Sequence, residues 1–205
     1  KKKAPKKRKA KPKKEISLTV DKKVLNNLKK ILCSRDKNLI DQGHELLRSL
    51  GSAEASEYFL DGVSYTSQGE GSLIPSPMFT GTGPAQPFLN YAMLGVIAYA
   101  PEDCEAALAL KKAITQLEMV LLFTEPLAEF ENLKSLDLSG SEELENLDGL
   151  SSLKKLKHID IKGCTALKNL KGLLNKTLDT KVLDLSGFSQ LESLEGLQSM
   201  PKIKE

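Results

Sequence analysis

The chain has no tryptophan, and aromatic residues make up only 5% of its 205 positions. Histidine occurs twice, as His44 and His158, which leaves little material for a metal centre. Cysteine occurs three times, as Cys33, Cys104 and Cys164, with no CxxC spacing. An odd number without paired spacing excludes a disulfide scaffold and a zinc ribbon, and points to buried reduced thiols. Long apolar runs are also missing. The longest, Tyr91 to Ala100, is ten residues ended by Pro101, about half of the ~20 that a membrane helix needs. A secretory signal would place an apolar stretch soon after a short basic start, whereas here basic residues continue to Lys14. The expected location is the cytoplasm, or the nucleus or nucleoid if the basic terminus is an address. No cofactor is implied by any of this.

What is present falls in the range of globular proteins: 28% charged and 40% hydrophobic residues. A chain of this length can bury a core as one large domain or two small ones without staples.

The formal net charge of +3 conceals a division. Residues 1–14, KKKAPKKRKAKPKK, hold ten Lys or Arg and no acid, so the rest carries 20 basic against 27 acidic residues, a net of −7. Such a run has nothing to bury and repels itself, so it acts as a disordered tail or linker. Three uses stay open. It is an extended spacer, or a non-specific contact to nucleic-acid phosphates through Lys6, Lys7, Arg8, Lys9, Lys11, Lys13 and Lys14, or a nuclear address, since PKKRKAK resembles a monopartite localisation signal. The chain starts at Lys, and is expected to continue beyond both ends.

From Asp21 onward, Val24, Leu25, Leu28, Ile31 and Leu32 fall on one helical face capped by Asp21. A second helix follows, its face read as Leu39, Ile40, Gly43, Leu47 and Leu50, with Asp36 or Asn38 as cap and Gly51 as stop. His44 lies one residue off that stripe and is expected at the surface or its boundary. Ala53 to Leu60 reads as a third, shorter helix.

Between residues 62 and 87, Gly, Ser, Thr and Pro fill 16 of 26 positions. The expectation is a long loop, mobile or irregular over residues 62–77. Gly81 and Gly83 precede a helix, which invites a phosphate-loop reading. The Lys and Ser/Thr of that motif are missing, however, and Pro84 removes a donor, so a turn feeding a helix is preferred. Helices are expected from Phe88 to Ala100 and from Glu102 to Lys112. Residues 15–112 thus form a helical domain.

The last third repeats itself. Leu133, Leu136, Leu138, Gly140, Leu144, Leu147 and Leu150 recur 23 residues later as Leu156, Ile159, Ile161, Gly163, Leu167, Leu170 and Leu173. A third copy carries Leu183, Leu185, Gly187, Leu191, Leu194 and Leu197, with one residue inserted between Asn175 and Thr180. The LxxLxL core and this period are those of a leucine-rich repeat. Ile114, Leu117 and Met119 read as a shortened first turn, offset by 19 residues, and Ile203 opens a truncated fourth, so that residues 113–205 form the array. Ser141, Cys164 and Phe188 stand where the consensus has Asn or Cys, so Cys164 is expected to have a structural inward place, while a departure at that position is expected to loosen the inner ladder and leave each turn more reliant on Gly140, Gly163 and Gly187.

In each LxLxL strand the leucines point inward and the residues between them outward. The outward set is Ser135, Asp137, Ser139, then His158, Asp160, Lys162, then Val182, Asp184, Ser186. Asp137, Asp160 and Asp184 should stack across adjacent strands. Two readings remain: a copied motif, or an acidic stripe for a basic protein partner. Ser135, His158 and an Asp lie together on an open surface, and catalysis would need a pocket, an oxyanion site and orienting groups besides.

With these residues stated, the chain resembles bacterial leucine-rich repeat proteins that carry a helical segment before the repeats. The resemblance rests on the repeats and on SRDKNLIDQGHELLRSLG and FTGTGPAQPFLNYAMLGVIAYAPED, and covers residues 16 to 205. Some such proteins also carry a WGR domain upstream of a Lys-rich linker. The resemblance implies an α+β chain, a helical cap followed by a short solenoid with a parallel concave sheet. It implies a non-enzymatic scaffold that binds a protein partner and needs no cofactor. The alternative is a nucleic-acid-tethering or nuclear-targeted protein working through the basic tail.

Overall fold

The computed structural model describes residues 20–66, 72–179, 185 and 187–197. It is a mixed helix and sheet structure, with five α-helices, a two-stranded antiparallel sheet and a three-stranded parallel sheet among the described residues.

Helix α1 (Lys22–Leu32) starts where the Asp21 carboxylate accepts from the Lys23 N–H at 2.7 Å, and it buries Leu25, Leu28 and Leu32. Helix α2 (Lys37–Leu50) starts on Asp36, whose side chain accepts from the N–H groups of Asn38 and Leu39. It ends at Gly51 in the left-handed conformation, φ 56°. Its buried face differs from the expected one. Ile40, Gly43, His44 and Leu47 are inside, while Leu39 and Leu50 are 40% and 41% exposed. The buried set keeps the i, i+3, i+4, i+7 spacing of a helical face. The face read from the sequence shares Ile40, Gly43 and Leu47 with it but took in Leu39 and Leu50 and passed over His44, which holds one of the four inner places.

Helix α3 (Ala53–Leu60) has the expected bounds and is capped by Ser52, whose Oγ accepts from the Ala55 N–H at 3.2 Å. Helix α4 (Gln86–Tyr99) is buried on every side from Leu89 to Ala98, and α2, α3 and α5 pack around it. Proline in its first turn costs nothing, since the N–H there is unpaired in any helix. Helix α5 (Glu105–Ala113) begins later than expected. A turn in which the Cys104 N–H donates to the Pro101 carbonyl separates the two helices.

The Gly- and Pro-rich stretch is more ordered than its composition suggests. Strands β1 (Ser64–Thr66) and β2 (Ser72–Ile74) pair antiparallel with Tyr65 opposite Leu73. A 3-10 turn, Pro77–Phe79, then drives Phe79 fully into the core. Four bulky residues, Tyr65, Leu73, Met78 and Phe79, all pack on the core and tie the segment down. The expectation of a mobile or irregular loop is therefore corrected for residues 62–66 and 72–77, while residues 67–71 lie outside the described set.

The remaining strands are β3 (Gln116–Glu118), β4 (Ser135–Asp137) and β5 (His158–Asp160), parallel and adjacent in that order. Leu117 pairs with Leu136 and Leu136 with Ile159, so the offset is 19 residues and then 23, as the repeat spacing requires. Leu136, Leu138, Ile159 and Ile161 are buried. Each strand is followed across the molecule by a 3-10 turn: Glu125–Glu129, Asp148–Leu150 and Lys171–Leu173. Glycine is compulsory in the turns for a steric reason. A side chain at Gly149 would overlap the Thr124 carbonyl, one at Gly172 the Leu147 carbonyl, and one at Gly196 the Leu170 carbonyl.

The inner ladder is not loosened at Ser141, and Cys164 has the inward place expected of it. Ser141 is buried and its Oγ accepts from the Leu121 N–H at 3.0 Å, while the Cys164 thiol donates to the Leu138 carbonyl at 3.3 Å. A hydroxyl and a thiol each supply one of the bonds that link successive turns, so the defect expected of a departure does not arise at Ser141. Further along, Lys176 stands one period after Leu153. It is buried, and its ammonium donates to the carbonyls of Ser151 and Leu153, both at 3.1 Å.

Polar contacts join the helices to the segment that follows β3. The Asn90 amide donates to the Val120 carbonyl at 2.8 Å, and Lys37 pairs with Glu125 at 3.3 Å. Tyr65 covers the outer edge of β3: its hydroxyl accepts from the N–H groups of Thr115 and Gln116 and donates to the Gln116 carbonyl.

Candidate interaction face

The parallel sheet presents its outward residues in rows set by register. Gln116, Ser135 and His158 form one row, and Glu118, Asp137 and Asp160 the next. Ser139 and Lys162 follow, both exposed. His158 and Asp160 are exposed as expected, whereas Ser135 and Asp137 are half-buried. Val182, Asp184 and Ser186 lie outside the described residues, as do Lys6, Lys7, Arg8, Lys9, Lys11, Lys13 and Lys14.

Each Asp has a local reason to be there. The Asp137 carboxylate accepts from the Ser139 N–H at 2.8 Å, and that of Asp160 from the Lys162 N–H at 2.9 Å. A short acid bonding to the backbone two residues on closes a turn, so the repeated Asp shapes the chain as it leaves the strand. The opposite corner uses the same device. Asn146 accepts from the Asp148 N–H, Asn169 from the Lys171 N–H and Ser193 from the Glu195 N–H. A carboxylate so engaged keeps its second oxygen for other use. The row therefore carries both structure and negative potential.

Glu118 belongs to this row and was not among the expected residues. The 19-residue offset already places it beside Asp137, but tracing only the repeated Asp passes over a residue of another type.

His44 is corrected from surface to core. It is 3% exposed, its Nε2 lies 3.0 Å from the Ala92 carbonyl, and its ring meets Tyr91 and Tyr99 edge-on at 5.7 and 5.6 Å. Burial lowers its pKa, with the Ala92 carbonyl opposing. A neutral ring with the proton on Nε2 satisfies that carbonyl and leaves Nδ1 without a hydrogen-bond partner. Beside it the Tyr91 hydroxyl donates to Asp41 at 2.6 Å, and Lys37 bonds the same carboxyl group at 2.8 Å. Burial, and then Asp41, push the Tyr91 hydroxyl well above the ordinary tyrosine range, so it is a donor and not a base. The cluster joins α2 to α4, and through Glu125 to the first 3-10 turn of the array.

All three cysteines are free thiols. Burial raises each of them, pushing Cys164 up to about 11, so none is poised as a nucleophile. Among the described residues no group of three His, Cys, Asp or Glu could hold a metal ion, and no helix is long and apolar enough to cross a membrane.

The chain matches no family model, no curated protein and no solved structure.

Proposed function

We propose that residues 113–205 form a leucine-rich repeat solenoid, that residues 15–112 are its helical cap, and that the whole is a non-enzymatic module binding a basic segment of a protein partner. The observation carrying this reading is the row Glu118, Asp137, Asp160, one carboxylate from each of three adjacent parallel strands. Like charges set side by side destabilise a sheet, and a cationic ligand lying across the strands relieves that repulsion. His158, Lys162 and Ser135 border the row and supply donors for orientation.

The test is fluorescence anisotropy with labelled Arg/Lys-rich and Asp/Glu-rich peptides of matched length. Basic peptides should bind, more weakly at higher salt, and Glu118→Gln with Asp160→Asn should lower affinity several-fold while the far-ultraviolet circular dichroism stays unchanged. Equal affinity for the acidic peptides, or no effect of the two substitutions, overturns the reading. The tail-centred alternative rests on the ten cations of residues 1–14. It requires duplex-DNA binding whose logarithmic salt slope is near −0.9 per phosphate contacted, lost when those residues are removed.

A further inference from the structure

A second surface lies on the helical part. Helices α1 and α2 bound a groove of about 280 Å³ whose floor and walls include Val24, Leu28, Ile31, Leu46 and Leu50. Val24, Leu46 and Leu50 are 40%, 48% and 41% exposed, among the largest apolar exposures of the described residues. On α1 the row Val24, Leu28, Ile31 follows the i, i+4, i+7 spacing, and on α2 the exposed Leu39, Leu46 and Leu50 extend one strip along the helix. Two antiparallel apolar rows with a trough between them suit a third helix, inserted through residues at i, i+3, i+4 and i+7.

Charge selects among the possible occupants. Helix α1, KKVLNNLKKIL, holds four lysines and no acid. Lys23 and Lys30 stand one turn on either side of Asn27, which lines the groove, so they form its rim. The α2 rim is different: Ser49 is neutral there, and Glu45 is paired with Arg48 at 2.9 Å. A second copy of the chain seated face to face would bring lysine row against lysine row where α1 meets α1, and would set the lysines against Ser49 and the Arg48-paired Glu45 where α1 meets α2. Residues 1–14 contain no apolar side chain larger than Ala and Pro, and repel the same rim.

We propose that the α1–α2 groove docks an amphipathic helix of a partner protein, with acidic residues along the single edge that meets Lys23 and Lys30. The site is separate from the strand face and stands or falls independently of it. A probe is a displayed library of 18-residue peptides with a fixed helical leucine stripe and Glu or Lys randomised at both borders, selected on the full chain. Selected peptides should be enriched in Glu on one border only. Leu46→Asp, a change at an exposed position, should weaken them at least tenfold. Lys23→Glu with Lys30→Glu should turn the preference from Glu to Lys, which loss of folding could not imitate. No selected binders, binders without a one-sided Glu bias, or binding that survives Leu46→Asp overturns the proposal. Self-association in sedimentation, or capture by phosphatidylserine vesicles, if abolished by Leu46→Asp, assigns the groove to another occupant and also overturns it.

Discussion

The imidazole of His44 fills the space that a side chain at Gly95 would occupy: a Cβ there would overlap the ring itself. A helix interior normally disfavours glycine by ~1 kcal/mol relative to alanine, so this exchange tests which effect dominates. Gly95→Ala should destabilise, because the overlapping ring is itself held by Ala92, Tyr91 and Tyr99. Overpacking of this kind costs about 1 to 3 kcal/mol. In urea unfolding, His44→Ala combined with Gly95→Ala should cost less than the sum of the two single changes. Strict additivity would show that ring and helix do not press on each other.

The same histidine makes a pH signature. Unfolded, it titrates near 6.5; folding lowers that value through burial. Its contribution is complete above the unfolded value and is lost as pH falls through it towards the lower folded one. The charged and titrating neighbours are Lys37, Asp41 and Arg48 on α2 and Tyr91 and Tyr99 on α4. Wild type should therefore lose more stability than His44→Phe between pH 7.5 and 5.5. Parallel pH profiles would show that the ring titrates as it does in the unfolded chain.

Gly172→Ala should be among the most damaging small changes in the repeats, since its Cβ would meet the Leu147 backbone and not a flexible side-chain end. The expected loss matches or exceeds the ~2 to 5 kcal/mol for truncating a buried aliphatic residue such as Ile159 to Ala. Gly140→Ala, at φ 76° but with open space around it, should cost less. Thermal unfolding of the three variants fixes the order, and a milder effect at Gly172 than at Gly140 contradicts the close packing of the turns.

Asp160 separates shape from charge. Asp160→Asn keeps an oxygen to accept from the Lys162 N–H and should leave stability nearly unchanged, whereas Asp160→Ala removes the acceptor and should cost about 1 kcal/mol. If Asn and Ala destabilise equally, the turn bond contributes nothing.

Phe79 tests the loop. It is completely buried, and Phe79→Ala should cost roughly 3 to 5 kcal/mol. A loss under half a unit would return the segment to the mobile class that its composition suggests.

How much of this was legible depends on how local each signal is. Asp21, Asp36 and Ser52 act within three residues of themselves, and two of these caps can be read by eye. The strand register followed from a leucine period because every turn must stack on its neighbour. His44 was missed because its burial depends on Gly95, a quarter of the chain away, which no periodicity reveals. Phe79 sits among Gly, Ser and Pro, so composition hid a single anchoring ring. Asp137 and Asp160 looked like a stripe or a copying accident. A third reading, a backbone acceptor built into each turn, needs the position of the N–H two residues on.

Tyr65 has a bearing on how an array of this kind can change in length. Its hydroxyl takes the N–H groups of Thr115 and Gln116 and gives its proton to the Gln116 carbonyl, which occupies the backbone at the start of β3. A strand added on that side would have to displace the Tyr65 hydroxyl from Gln116. A 23-residue unit gained or lost by gene duplication or deletion leaves this contact undisturbed if it falls beyond β4. The length of the parallel sheet can thus vary without disturbing the contact between Tyr65 and β3.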